Sequence, residues 1–112
     1  MSALQIREAR RFEAKAHEAA TLLSALANPR RLMILCELAQ GERSVGTLVR
    51  RVGLQQAAVS QHLAKLRQAG IVDTRPKSQM VFYRLKSAAA VAVINTLAAI
   101  FCPPAKPAST RR

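Results

Sequence analysis

At 112 residues with a formal net charge of +12, the chain is sized for one domain and built to meet a polyanion. Half of its residues are hydrophobic, yet no apolar run reaches the roughly 18 residues of a membrane span. The opening MSALQIREARRFEAK places charges where a signal peptide needs an apolar stretch, so a cytoplasmic protein without a membrane role is expected.

The predicted elements follow in chain order. Phe12, Ala16, Ala19, Leu23 and Leu26 recur at helical spacing, which predicts a helix over about 5–27. Asn28-Pro29 reads as a cap followed by proline at the first helical position. The helix it opens runs to about Gln40, with Leu32, Leu35, Cys36 and Ala39 on its apolar stripe, and Gly41 stops it. Ser44 caps a short third helix with the stripe Val45, Leu48, Val49 and Val52, ended by Gly53. After the tight Leu54-Gln55 connection comes QQAAVSQHLAKLRQAG, a fourth helix closed by Gly70. IVDTRPKSQMVFYRL then predicts two short strands around a turn at Pro76-Lys77-Ser78-Gln79. From about Ser87 a last helix carries Val91, Ile94, Leu97, Ala98 and Phe101 and reaches Cys102, where Pro103-Pro104 stops it. Residues 1–102 thus form one domain, and the basic, proline-rich tail 103–112 is expected to be disordered.

The order predicts a mainly α fold with a small β-hairpin: a winged helix-turn-helix of five helices and a two-stranded wing. The fourth helix is then the one that enters a DNA groove. Val59, Leu63 and Leu66 fall on its core side; Ala57, Ser60, Gln61, Ala64, Lys65 and Gln68 fall opposite. That outer face carries hydrogen-bonding and small side chains and no carboxylate to repel phosphate. Gln56 stands at the helix start, where recognition helices reach bases. The charge agrees: residues 43–112 hold twelve basic side chains and one acid, Asp73. In the hairpin Arg75, Lys77, Ser78 and Gln79 are placed to meet phosphates or the minor groove. The expected DNA-contacting set is Gln56, Ala57, Ser60, Gln61, Lys65, Arg75, Lys77, Ser78 and Gln79. A solvated polar helix face and turn is the plain alternative, and non-specific packaging of nucleic acid would account for the charge equally well.

Only two cysteines are present, Cys36 and Cys102. Their separation suits neither a secreted disulfide framework nor CxxC metal spacing. Cys36 sits on an apolar stripe and, taken by itself, reads first as a packing residue. Neither has a histidine nearby in sequence to activate a nucleophile, and no cofactor motif is present, so an enzyme is not expected.

The segments ALANPRRLMILCEL, SVGTLVRRVGLQQAAVSQHLAKLRQAGIV and VFYRL together resemble the ArsR family of bacterial winged-helix repressors, over roughly residues 18–102. The resemblance implies a homodimer built on the first and last helices, binding an imperfectly palindromic double-stranded operator and released from it by an inducer. It places Gln56, Ala57, Ser60 and Gln61 in the base-reading segment. Many members carry serine where this chain has Gln55 or Ala57, so operator sequence does not transfer. Metal-sensing members use a CxC pair on the second helix or His and carboxylate clusters on the last. Here the first place reads Leu-Cys-Glu, and residues 87–102 contain no His, Asp or Glu. A metal-responsive repressor is therefore the weaker alternative. The positions of Cys36 and Cys102 resemble instead the dithiol branch of the family, in which two such cysteines are joined by a disulfide or polysulfide bridge on exposure to reactive sulfur species or oxidants.

Overall fold

The computed structural model describes residues 2–101. Cys102 and the segment 103–112 lie outside them. The elements are α1 (Ala3–Leu26), α2 (Pro29–Ala39), β1 (Arg43–Ser44), α3 (Val45–Val52), α4 (Gln56–Gln68), β2 (Val72–Lys77), β3 (Met80–Leu85) and α5 (Ala88–Phe101). This is the winged helix-turn-helix that the sequence predicts, with one added strand.

Local chemistry sets most of the boundaries. Ser2 and Gln5 form a reciprocal capping box at the head of α1, which therefore starts two residues before the expected position. Asn28 Oδ1 accepts from the backbone N–H groups of Arg30 and Arg31, each at 3.0 Å, and Pro29 opens α2. Ser44 Oγ accepts from the Thr47 N–H and caps α3. Gly53 ends α3 at φ 71°, a left-handed conformation that only glycine adopts without a Cβ penalty. The Gly53-Leu54-Gln55 turn then sets α4 against α3.

The core joins these elements through Ile34, Leu35 and Leu38 of α2, Leu48 and Val52 of α3, Val59, Leu63 and Leu66 of α4, Ile71 and Val72, and Ala90 and Ile94 of α5. The burial of α4 matches its expected inner face. That of α2 is rotated: Ile34 and Leu38 are buried, Leu32 and Cys36 are half-buried, and Ala39 is exposed. Periodicity chose one stripe, whereas α2 packs against α3, α4, α5 and β3 at once. On α1 only Leu26 is buried, and Phe12 and Leu23 are exposed.

The sheet is three-stranded and antiparallel, in the order β1-β3-β2. The turn is shorter than expected: Pro76 and Lys77 belong to β2, opposite Val81 and Met80, and only Ser78-Gln79 turns the chain. Proline is tolerated there because β2 is an edge strand, with no further ladder for its missing N–H to break. Ser78 takes a positive φ of 58°.

Candidate nucleic-acid interface and thiol site

The exposed side of α4 presents Gln56, Ala57, Ser60 and Gln61 together, and no acid lies anywhere on the helix. The helix is held from behind by Val59, Leu63 and Leu66, all fully buried, so the outward side chains are fixed by packing rather than by their own contacts. Lys65 is also exposed but borders a separate hollow with His17, Thr21, Ser24 and Arg31, where α1 and α2 meet the far end of α4. It sits on the flank of the helix, away from the segment at its start.

Between these faces lies His62, whose Nδ1 is buried and has no hydrogen-bond partner among the described residues. Burial pushes its pKa down, and the nearby charges of Arg31, Lys65 and Arg30 act in the same direction. Both effects favour the neutral form of the ring.

On the hairpin, Lys77, Ser78 and Gln79 are exposed at the tip. Arg75 is not placed like them. Its guanidinium lies along the Glu42 carboxylate, Nη2 to Oε1 at 2.6 Å and Nε to Oε2 at 3.0 Å. Arg84 donates to Asp73 at 2.8 Å and approaches Glu42 at 3.9 Å. The guanidinium hydrogen bonds hold both carboxyls below their usual range: Arg75 acts first on Glu42, and Arg84 on Asp73. Sequence reasoning missed these partners. The available signal was the alternation Asp73-x-Arg75 on one strand and Arg84 on the next; Glu42 left no local sign.

Cys36 lies half-buried in the wall of a hollow of about 410 Å³ between α2 and α5. Leu32, Met33, Val52, Ile94, Leu97 and Phe101 make its apolar lining. Phe101 is the residue before Cys102, so the hollow runs from one cysteine's side chain to the other's chain neighbour. Glu37 stands at the rim, paired with Arg51 at 2.9 Å and approached by Arg43 at 3.7 Å. Among the described residues no three His, Cys, Asp or Glu side chains gather as a metal-ligand set, and no helix is long and apolar enough to cross a membrane.

A helix-turn-helix whose second helix offers a carboxylate-free polar face, flanked by a β-hairpin with a basic tip, defines a DNA-binding protein of the winged-helix class. The signature of the bacterial regulatory proteins of the arsR family matches residues 28–74. The biofilm growth-associated repressor of Agrobacterium fabrum is 51% identical over 93 residues, covering 83% of this chain and 80% of that protein. Among solved structures, reduced HlyU from Vibrio cholerae superposes with a TM-score of 0.79 at 47% identity, covering 83% of this chain and 98% of the other. A more distant neighbour is the homodimeric winged helix-turn-helix DNA-binding domain from Mycobacterium bovis. It matches with a TM-score of 0.70 at 31% identity, over 80% of this chain and 83% of its own. The chain belongs to the ArsR family, whose members are DNA-binding transcription regulators and not enzymes.

Proposed function

We propose that this regulator is a homodimeric repressor that reads a palindromic operator through α4 and leaves it when Cys36 and Cys102 become covalently joined. The observation that carries the DNA reading is the acid-free exposed face of α4, with Gln56, Ala57, Ser60 and Gln61 at its accessible end. Glutamine and serine offer donors and acceptors to base edges, and Ala57 lets the helix lie close in the groove. Lys77, Ser78 and Gln79 supply backbone contacts from the wing, and Lys65 from the flank of α4. Non-specific packaging has no need of such a face.

The dimer is supported by apolar side chains that the single chain leaves uncovered. Phe12 is 66% and Phe101 74% exposed, and Leu4, Leu23 and Ile100 are exposed with them. They lie on α1 and α5, and the Mycobacterium bovis neighbour is homodimeric. A two-fold dimer would present two α4 helices to half-sites about one helical turn apart, or a multiple of that.

The thiol switch is supported by the position of Cys36 in the α2–α5 hollow and of Phe101 at its other side. With a hydroperoxide, the two thiols yield two electrons and two protons, forming a disulfide while ROOH becomes ROH and water. With a persulfide RSSH, one thiolate takes the terminal sulfur and releases RS⁻. The second thiolate then displaces HS⁻ and closes the bridge. Either route gives a Cys36–Cys102 disulfide, which ties the end of α5 to α2; α2 packs directly on α3 and α4, so the bridge biases the dimer away from the spacing of the half-sites. Peptide mapping after separate exposure to peroxide and to a persulfide donor is expected to find Cys36 and Cys102 joined within one chain, with operator binding weakened. Cys36→Ser and Cys102→Ser proteins should bind the operator and ignore both reagents. A serine variant that remains fully inducible, or a bridge found only between chains, contradicts the switch and leaves DNA binding untouched.

A further inference from the structure

The wing is not uniformly basic. Glu42 stands just before β1, whose register sets Arg43 opposite Tyr83 of β3; Arg84 of β3 in turn faces Asp73 of β2, and Arg75 lies two residues further along that strand. Four side chains, Asp73 and Arg75 of β2, Arg84 of β3 and Glu42 from the residue before β1, thus meet on one face of the sheet: Glu42 with Arg75 at 2.6 Å, Asp73 with Arg84 at 2.8 Å, and Glu42 with Arg84 at 3.9 Å. Two carboxylates offset two guanidinium groups, so the quartet has no net charge. Asp73 is the only acid in residues 43–112, and it is spent here. The Glu42 pair has the fork geometry in which arginine meets both oxygens of a carboxylate.

We infer that Glu42 is a specificity-determining residue: by occupying Arg75, it withholds one wing cation from phosphate and so holds down binding to DNA of arbitrary sequence. Non-specific affinity comes almost wholly from cations that displace counterions from phosphate. Every free arginine beside the duplex strengthens binding to bulk DNA and to the operator alike, and dilutes discrimination. An arginine already bound by a carboxylate on its own chain adds little, because phosphate would have to displace an internal partner of equal charge and better-fixed geometry. Lys77, which has no carboxylate ion pair among the described residues, remains the wing's phosphate contact. The inference rests on the reading of the wing as a DNA-facing element.

The test is salt-dependent binding to a non-cognate duplex, with operator binding measured alongside. In Glu42→Gln protein the slope of log affinity against log salt should steepen by about 0.9, the value for one added phosphate contact, and bulk affinity at 0.1 M salt should rise on the order of tenfold. The operator-to-bulk ratio should fall. Arg75→Gln alone should leave the bulk slope unchanged, and Glu42→Gln/Arg75→Gln should return it to the wild-type value. Glu13→Gln, the same charge change on α1, should not steepen it. A bulk slope lowered by about one unit in Arg75→Gln protein would show that Arg75 already holds phosphate and would overturn the inference, as would an unchanged slope in Glu42→Gln. Lys77→Gln separates the two levels. It should lower the slope by about one unit, and if it has no effect the wing is not at the DNA and both readings fall.

Discussion

Two surfaces of this molecule are exposed for opposite reasons. The outer face of α4 is polar, carries no acid, and is backed by fully buried Val59, Leu63 and Leu66. On α1 and α5, by contrast, the large apolar side chains Phe12, Leu23, Ile100 and Phe101 stand in solvent, with no core behind most of α1. A rigid polar face suits a partner read by hydrogen bonds and charge. Uncovered large apolar side chains on a small domain suit a partner that buries them. The first surface is complete in one chain and the second is not, so in the proposed dimer recognition would depend on a protomer and its spacing on the pair.

Breaking the apolar surface should have the largest effect. Leu23→Glu combined with Phe12→Glu places charge where burial is expected; light scattering should then report a monomer. Operator affinity should fall by about a hundredfold or more, since a single half-site forfeits a large share of the specific binding free energy. A variant that stays dimeric would locate the interface elsewhere.

A smaller effect sharpens the polar surface. Gln61→Ala should lower the preference for the operator over a base-substituted operator by about 5- to 100-fold, the range for losing a good base contact. Ser60→Ala should act in the same direction and less strongly. Unchanged preference in both would move the reading residues off this face.

The smallest effect concerns the ground between the surfaces. His62 has a lowered pKa in the folded chain, first from burial and then from Arg31, Lys65 and Arg30. Below its ordinary value of 6.5 the unfolded chain binds this proton more readily than the folded one. Stability therefore falls as pH drops from 6.5 toward the folded value and is fully retained above it. Denaturant midpoints of wild type and His62→Gln across that window should converge at low pH. A parallel offset at every pH would show that the ring contributes packing alone.

Much of the recognition unit was legible in the sequence because its determinants are local. Ser44, Gly53 and Gly70 mark helix ends through their own backbone and capping chemistry, and Val59, Leu63 and Leu66 share one face of a helix with one buried side. The α2 stripe misled because that helix is covered on several sides, so Leu38 rather than Ala39 turned inward. Two-residue β1 has no periodicity to read and exists through its pairing with β3. The partner of Arg75 is 33 positions away, and nothing in the run TRPKSQ announces it. Cys102 lies outside the described residues, so its pairing with Cys36 rests on the hollow beside Phe101 and on the resemblance.

The most direct test of the account is the operator affinity of Gln61→Glu set beside that of Gln40→Glu. Both changes are nearly isosteric, add one negative charge and fall on exposed positions, one on the α4 face and one at the end of α2. If the α4 face lies in the DNA groove, the carboxylate at position 61 meets phosphate and base acceptors at close range. It should then cost at least about tenfold more affinity than the one at position 40. Equal losses would mean that only net charge matters, and would contradict the claim that this helix reads the operator.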